Sequence, residues 1–477
     1  MDVPSIPEFF KDKQIFITGG TGFIGKVLIE KLLRSCPDVK SIVLLIREKK
    51  GQTVSERVDD ILQNPLFDLL RETNPEALTK VSAVGGDVTS LGLGLNEKDK
   101  KIVLKSNVVF HVAASVRFDD PIKKATLMNT RGTREMMELM LQMPNLVVGV
   151  HVSTTYCNTD KNVIEEKVYR DHGDWRIKGN MRNTYVYTKH LAENVVEDYA
   201  DRLPLVLYRP GIVVSMWKDP LPGWADNMNG PVGLTIAIGK GLYFFGLLRN
   251  FIVDGDAIVD NTPVDMVVKA LVIAAWEKGI KRNGDDKLPV YNCSIKGYYE
   301  ITQTQFYKVS TLMLANHPYN NAIRIPRCAY TKIELVFKVM FFIYTLLPAL
   351  LIDTYYKYTG KRQILCKLTR KTYFAMLSVS YFVSKNWLFK SSNFTNLNKE
   401  VLHSDWKDFV VDGSNFNVQD FTRNARMGIS KYILKEEIDL PSARAQYQKL
   451  KILHYSVKYL FWACLLYYVI LPKINSF

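Results

Sequence analysis

The sequence predicts an α/β fold with a doubly wound parallel sheet, and three observations carry that reading. Short apolar runs alternate with amphipathic stretches over roughly the first 215 residues, a glycine-rich turn directly follows the first run, and beyond about residue 330 the pattern becomes helical. Continuous apolar runs suit strands covered on both faces, and their alternation with helical segments is the signature of βαβ units.

QIFIT (14–18) is the first expected strand, and beyond its turn an amphipathic run reaches Leu33. SIVLLI (41–46), KVSAVGG (80–86), NVVFHVA (107–113), NLVVGVHVS (145–153) and PLVLYR (204–209) are five more, separated by segments long enough for crossover helices. The turn-rich stretch KDPLPGWADNMNGPVG (218–233) interrupts the pattern, so about 215–330 reads as a smaller substrate-shaping lobe. Residues 1–330 are thus expected to form one part with its lobe, and 331–477 a helical second part.

With 477 residues, 47% apolar and 23% charged, the chain can bury a full core and is neither fibrous nor disordered. The cysteines at 36, 157, 293, 328, 366 and 464 form no disulfide framework and no paired zinc motif, which fits a reducing compartment. The amino end, MDVPSIPEFFKDK, has no basic and apolar regions of the kind a cleaved secretory signal requires.

The turn TGGTGFIG places Thr18, Gly19, Gly20, Thr21, Gly22, Phe23, Ile24 and Gly25 between a strand and a helix. Such a turn lets backbone N–H groups approach a pyrophosphate at the positive end of the helix, and marks a Rossmann-type dinucleotide site. At the end of the second strand stands Arg47, 22 residues after Gly25, with Lys49 and Lys50 close behind. A guanidinium there suits a 2′-phosphate, so the expected cofactor is NADPH. Asp87, followed by Val88 after the third strand, is placed to accept a hydrogen bond from the adenine amino group.

TYVYTKHLAE (184–193) holds Tyr185 and Lys189 one helical turn apart on one face. A reductase needs such a pair, a phenol that gives a proton and an ammonium that lowers its pKa. Tyr187 points elsewhere. VSTTYCN (152–158) offers hydroxyls to a substrate carbonyl oxygen, with Ser153 the first choice, Thr154 the second and Thr155 also open. His111, His151 and His190 lack metal-ligand spacing and read as structural.

Together these residues resemble the extended short-chain dehydrogenase/reductase superfamily. YRPGIV (208–213), the 218–233 block, TPVDMVV (262–268) and YNCS (291–294) narrow the resemblance to the eukaryotic fatty acyl-CoA reductases. DWKDF (405–409) and MGISKYILKE (427–436) are similar to that family's C-terminal helical domain, although Gly211 stands where many members carry serine. The resemblance implies NADPH-dependent reduction of a long-chain acyl-CoA, through thiohemiacetal and aldehyde, to a primary alcohol. It needs no acyl-enzyme on Cys157. The rival readings are an enzyme that stops at aldehyde, a hydroxysteroid or sugar-nucleotide dehydrogenase, and a non-catalytic lipid-binding scaffold.

The formal charge of +15 suits a phosphorylated substrate and an anionic membrane surface, and no nucleic-acid module accompanies it. Each apolar run (339–352 and 459–472) is short for a membrane span, the second lengthening to 453–471 if Lys458 snorkels. The basic cluster Lys357, Lys361, Arg362, Lys367, Arg370 and Lys371 would face the lumen if the first run alone spanned. The first run is therefore expected to be re-entrant or surface-embedded and the second the anchor. The ending NSF is not a peroxisomal address, so the endoplasmic reticulum is expected ahead of peroxisome or lipid droplet, with the reductase part facing the cytosol.

Overall fold

The computed structural model describes residues 3–49, 51–170, 183–241, 250–281, 288–326 and 329–467. Lys50 and the end of the expected anchor, 468–471, lie outside them. Seven strands form one sheet: β1 (Gln14–Thr18), β2 (Ser41–Ile46), β3 (Val81–Gly85), β4 (Val108–His111), β5 (Val148–Val152), β6 (Leu205–Pro210) and β7 (Val290–Cys293). Their order is β7-β6-β5-β4-β1-β2-β3 and all neighbours are parallel. The chain therefore winds outward from β1 in one direction and returns through β4 to wind in the other, which leaves a crevice at the carboxyl ends of β1 and β4.

Every residue of β1, β4, β5, β6 and β7 is buried, as strands covered on both faces must be. Phe16, Val43, Val109, Leu205 and Leu207 meet Met136, Met137 and Met140 of the helix Gly132–Met140 in one apolar core. Three further helices flank the sheet: α1 (Phe23–Ser35), α2 (Thr184–Asp198) and α3 (Val264–Ile280). α3 is apolar almost all round and buried along most of its length, so it behaves as a core helix.

The chain divides into two compact units, but not at a single boundary near 330. The first comprises Met1–Pro222, Ile258–Glu300 and Asn386–Phe416, the second Gly223–Ala257, Ile301–Lys385 and Asn417–Phe477. Two parts of the first unit have weak local signals. β7 is short and directly follows a proline, yet pairs with β6 from Val290 opposite Leu207 to Cys293 opposite Pro210. Residues 386–416, expected in the helical part, return instead: Leu388 and Phe389 pair with Val163 and Ile164, and Trp387 donates its indole N–H to the Thr159 carbonyl at 3.2 Å. Glu166 accepts the backbone N–H groups of Asn393 and Phe394, at 2.6 and 3.1 Å, which seats the following helix (Ser392–Glu400).

The second unit is mainly helical. Its apolar run is embedded in a helix spanning Glu334–Tyr358, longer than the run itself and long enough by length and composition to cross a membrane. Two features carry the helix past its charged flanks. Lys338 pairs with Glu334 one turn away at 2.7 Å, and Asp353 turns inward to accept the N–H groups of Leu365 and Cys366 at 3.1 and 2.8 Å, capping the helix Leu365–Val383. Leu335, Val339, Phe342, Ile343, Leu347, Leu350 and Leu351 are exposed along the long helix.

Candidate active site

The glycine turn is shaped by backbone contacts that no side chain could share. Gly19 has φ +78°, and a Cβ there would lie 2.7 Å from the amide nitrogen of Ala113. A Cβ on Gly25 would stand 2.3 Å from the carbonyl oxygen of Gly19, so the first turn of α1 folds directly onto the loop. Gly22 is the N-cap of α1, donates its N–H to Gly19 at 2.9 Å and leaves the helix without a side-chain cap. This arrangement fits a dinucleotide pyrophosphate: the backbone comes close, and the helix end supplies N–H donors and positive potential.

The remaining predicted cofactor residues divide by position. Thr18 is fully buried; its hydroxyl meets His111 Nδ1 at 2.7 Å and accepts the Ala113 N–H at 3.3 Å, so its side chain braces β1 against β4. Thr21, Phe23 and Ile24 are half-buried along the turn and first helical residues. Arg47 is largely exposed, with Nη1 3.5 Å from Asp87 Oδ2. The other Asp87 oxygen accepts the N–H and hydroxyl of Thr89, each at 2.8 Å, fixing the loop after β3. Val88 is buried in the core, and its carbonyl would lie 2.7 Å from any Cβ on Gly132.

α2 starts at an Asn183 cap, whose side chain accepts the Val186 N–H at 2.9 Å. Its rotation is fixed by Thr188, whose hydroxyl accepts from Asn129 Nδ2 at 3.0 Å while its carbonyl accepts from the Thr130 hydroxyl at 2.9 Å. Tyr185 and Lys189 then emerge on one side. Lys189 is buried and donates from Nζ to the Val152 carbonyl at the end of β5, at 2.6 Å. Burial pulls its pKa from 10.5 down to about 8, against the nearby Glu193 carboxylate, which holds it up. Burial also raises the phenol of Tyr185, while the nearby Thr154 hydroxyl works the other way.

The structure distinguishes the three candidate hydroxyls. Thr154 stands near the Tyr185 phenol, whose pKa its hydroxyl lowers, and it accepts the Tyr156 N–H at 3.3 Å. Ser153 is turned away and donates to Glu193 Oε1 at 2.6 Å, and Thr155 is fully buried. His111 and His151, side by side in register on β4 and β5, are buried and held neutral by desolvation and the nearby Lys189, His111 being pushed down to about 3. Cys157 donates to Glu193 at 3.0 Å, and burial together with that carboxylate pushes its pKa far up, the opposite of what a nucleophilic thiolate needs.

Two residues that local pattern gave no role stand behind this group. Arg209, at the end of β6, grips Glu193 through Nε at 2.8 Å and Nη2 at 2.7 Å, and both side chains are buried. The available signals were a charge one turn beyond Lys189 on a buried helix face and an arginine ending an apolar strand.

Sheet order, the glycine turn at the switch point and the relatives of this chain define a Rossmann-type oxidoreductase that uses a nicotinamide dinucleotide. Family profiles described as "Male sterility protein" match residues 17–271 and 344–436. Fatty acyl-CoA reductase 1 of Mus musculus is 38% identical over 475 residues, covering 94% of this chain and 90% of the relative. The Homo sapiens protein of that name is 37% identical with the same coverage, and Fatty acyl-CoA reductase wat of Drosophila melanogaster is 33% identical, covering 95% of this chain and 91% of its own. The chain belongs to the fatty acyl-CoA reductase family. In solved structures, the terminal R domain of the myxalamid PKS-NRPS pathway shares the fold at TM-score 0.60 and 19% identity, covering 90% of this chain and 93% of that one. The reductase domain of a Mycobacterium tuberculosis nonribosomal peptide synthetase does so at 0.59 and 15%, with the same two coverages.

Proposed function

We propose that the protein reduces long-chain fatty acyl-CoA to a primary alcohol with NADPH, releasing CoA. The observation that carries the reading is Tyr185 one helical turn from the buried Lys189, which is bonded to the end of β5 just before Thr154, in a chain whose curated relatives are named for acyl-CoA reduction. The turn from Gly19 to Gly25 would hold the pyrophosphate, and Arg47 the 2′-phosphate, exchanging its contact with Asp87 for a more highly charged partner. Bound there, the reduced nicotinamide supplies hydride, one equivalent for the thioester and one for the aldehyde.

The chain's own residues handle oxygen and protons. As hydride reaches the thioester carbonyl, the hydroxyls of Tyr185 and Thr154 donate to the oxyanion. The thiohemiacetal then collapses and expels CoA as thiol. When the aldehyde is reduced, Tyr185 passes its proton to the alkoxide, and Lys189 stabilises the phenolate left behind. Ser153 supports this machinery from behind through Glu193.

The exposed apolar helix Glu334–Tyr358 supports residence at a membrane, where an acyl chain and an insoluble alcohol are at home. We place the protein at the endoplasmic reticulum with its reductase part in the cytosol. The activity is tested by following NADPH oxidation with palmitoyl-CoA, sterols and nucleotide sugars in parallel, with products identified by gas chromatography. Hexadecanol from palmitoyl-CoA is the expected result; turnover of sterols or sugars alone would overturn the reading.

A further inference from the structure

The buried pair Glu193–Arg209 anchors a polar network that touches no reacting atom in the proposed chemistry. Glu193 Oε1 accepts from the Ser153 hydroxyl at 2.6 Å, Cys157 Sγ at 3.0 Å and Arg209 Nε at 2.8 Å. Its Oε2 accepts from Arg209 Nη2 at 2.7 Å and Asn158 Nδ2 at 3.5 Å. One carboxylate thus joins α2, the end of β5, the turn 155–158 and β6. Arg209 is held in turn by the carbonyls of Glu165 and Lys167, at 3.0 and 2.8 Å, and by Asn292 of β7 at 3.3 Å. His190 Nδ1 closes the network on Asn158 Oδ1 at 2.8 Å.

The network brackets the reacting groups. Thr154 lies between Ser153 and Cys157, both tied to Glu193, and Lys189 lies one helical turn before Glu193 while bonding the carbonyl of Val152, next to Ser153. We infer that Glu193, clamped by Arg209, is a positioning residue that holds the 153–157 segment, Thr154 with it, beside the face of α2 that carries Tyr185 and Lys189. Its carboxylate also places a negative charge near the buried ammonium. This inference deepens the proposed function and rests on its assignment of Tyr185 and Lys189. A hydrophobic pair of equal volume would pack as well at this place; what it would lack is a negative charge beside a buried ammonium.

The charged and titratable groups facing Lys189 come from four elements. Tyr185 and Glu193 share its helix, His151 comes from β5, Cys157 from the turn after it and His111 from β4, while Arg209 of β6 stands behind Glu193. The histidines are neutral and the thiol protonated. Glu193 is therefore the one anion of this group, held ionised against its burial by Arg209.

The test measures kcat/KM from pH 5.5 to 9.5 for wild type, Glu193→Gln, the double variant Glu193→Gln with Arg209→Met, and Tyr185→Phe. The double variant keeps the experiment decisive if Arg209 without its partner blocks folding in the single one. Loss of the carboxylate should move the alkaline limb down by about one pH unit, with a fall in kcat and little change in KM for NADPH. A limb that stays in place while turnover drops equally at every pH overturns the positioning role, as does failure of both variants to fold, because the pair would then serve only the fold. An active Tyr185→Phe would instead strike the underlying assignment, so the two failures are distinguishable.

Discussion

Lys189 donates a 2.6 Å hydrogen bond to the carbonyl of Val152, which binds the middle of α2 to the tip of a central strand. The bond ties this turn of α2 to the end of β5, two residues before Thr154. It uses one of three ammonium donors, and in the proposed complex the others would serve the ribose hydroxyls of the dinucleotide.

Replacement of Tyr185 by Phe removes the proposed proton donor and keeps the ring against Phe118, 6.0 Å away between centroids. Alcohol formation should fall by about 10²–10⁴-fold, with NADPH affinity, read by fluorescence titration, nearly unchanged. Undiminished turnover would remove Tyr185 from its role.

Turnover should be pH-dependent on the alkaline side. Lys189 is protonated below its lowered pKa of about 8 and neutral above it, whereas the Tyr185 phenol is shifted upward and stays protonated. A rate that needs the ammonium is therefore full at neutral pH and declines as pH rises through about 8. A kcat profile flat to pH 10 would contradict this.

Arg47→Asp should weaken NADPH binding by about 10–100-fold, the worth of a charge-assisted contact, and weaken NADH much less. Isothermal titration with both dinucleotides decides it, and equal losses would take Arg47 off the 2′-phosphate.

Gly25→Ala forces a methyl group to 2.3 Å from the Gly19 carbonyl, a contact that backbone must move to relieve. Dinucleotide affinity should drop by at least about tenfold, since sub-ångström placement of donors governs charge-assisted hydrogen bonds. Thermal unfolding with and without NADPH would show the loss as a vanished ligand-induced rise in Tm.

Glutamates in place of Phe342, Leu347 and Leu351 should shift the protein from the membrane pellet to the soluble fraction. These side chains are exposed on the long apolar helix, and each central charge costs about 2.5–3.5 kcal/mol in a bilayer. Cofactor binding by the released protein should persist; continued pelleting would mean that other segments hold it there.

Local pattern carried the first six strands, the glycine turn, and Tyr185 with Lys189, because each depends on neighbours a few positions apart: alternation with helices, a turn too tight for side chains, one helical turn between two functional groups. What lay beyond it depended on partners distant in sequence. The seventh strand is short and sits in the sheet because β6 offers an open edge, and residues 386–416 rejoin the first unit by pairing with Val163 and Ile164. The choice between Ser153 and Thr154 is of the same kind. Neighbours in a strand end point to opposite sides, and only the positions of Glu193 and Tyr185 in space show which hydroxyl faces the phenol. The sequence by itself therefore determined the class of fold, the glycine turn and the placement of Tyr185 and Lys189 one turn apart on one helix. Tertiary structure alone decided which side chains stand behind them, since a buried charge such as Arg209 is tolerable only where the fold delivers its counterion.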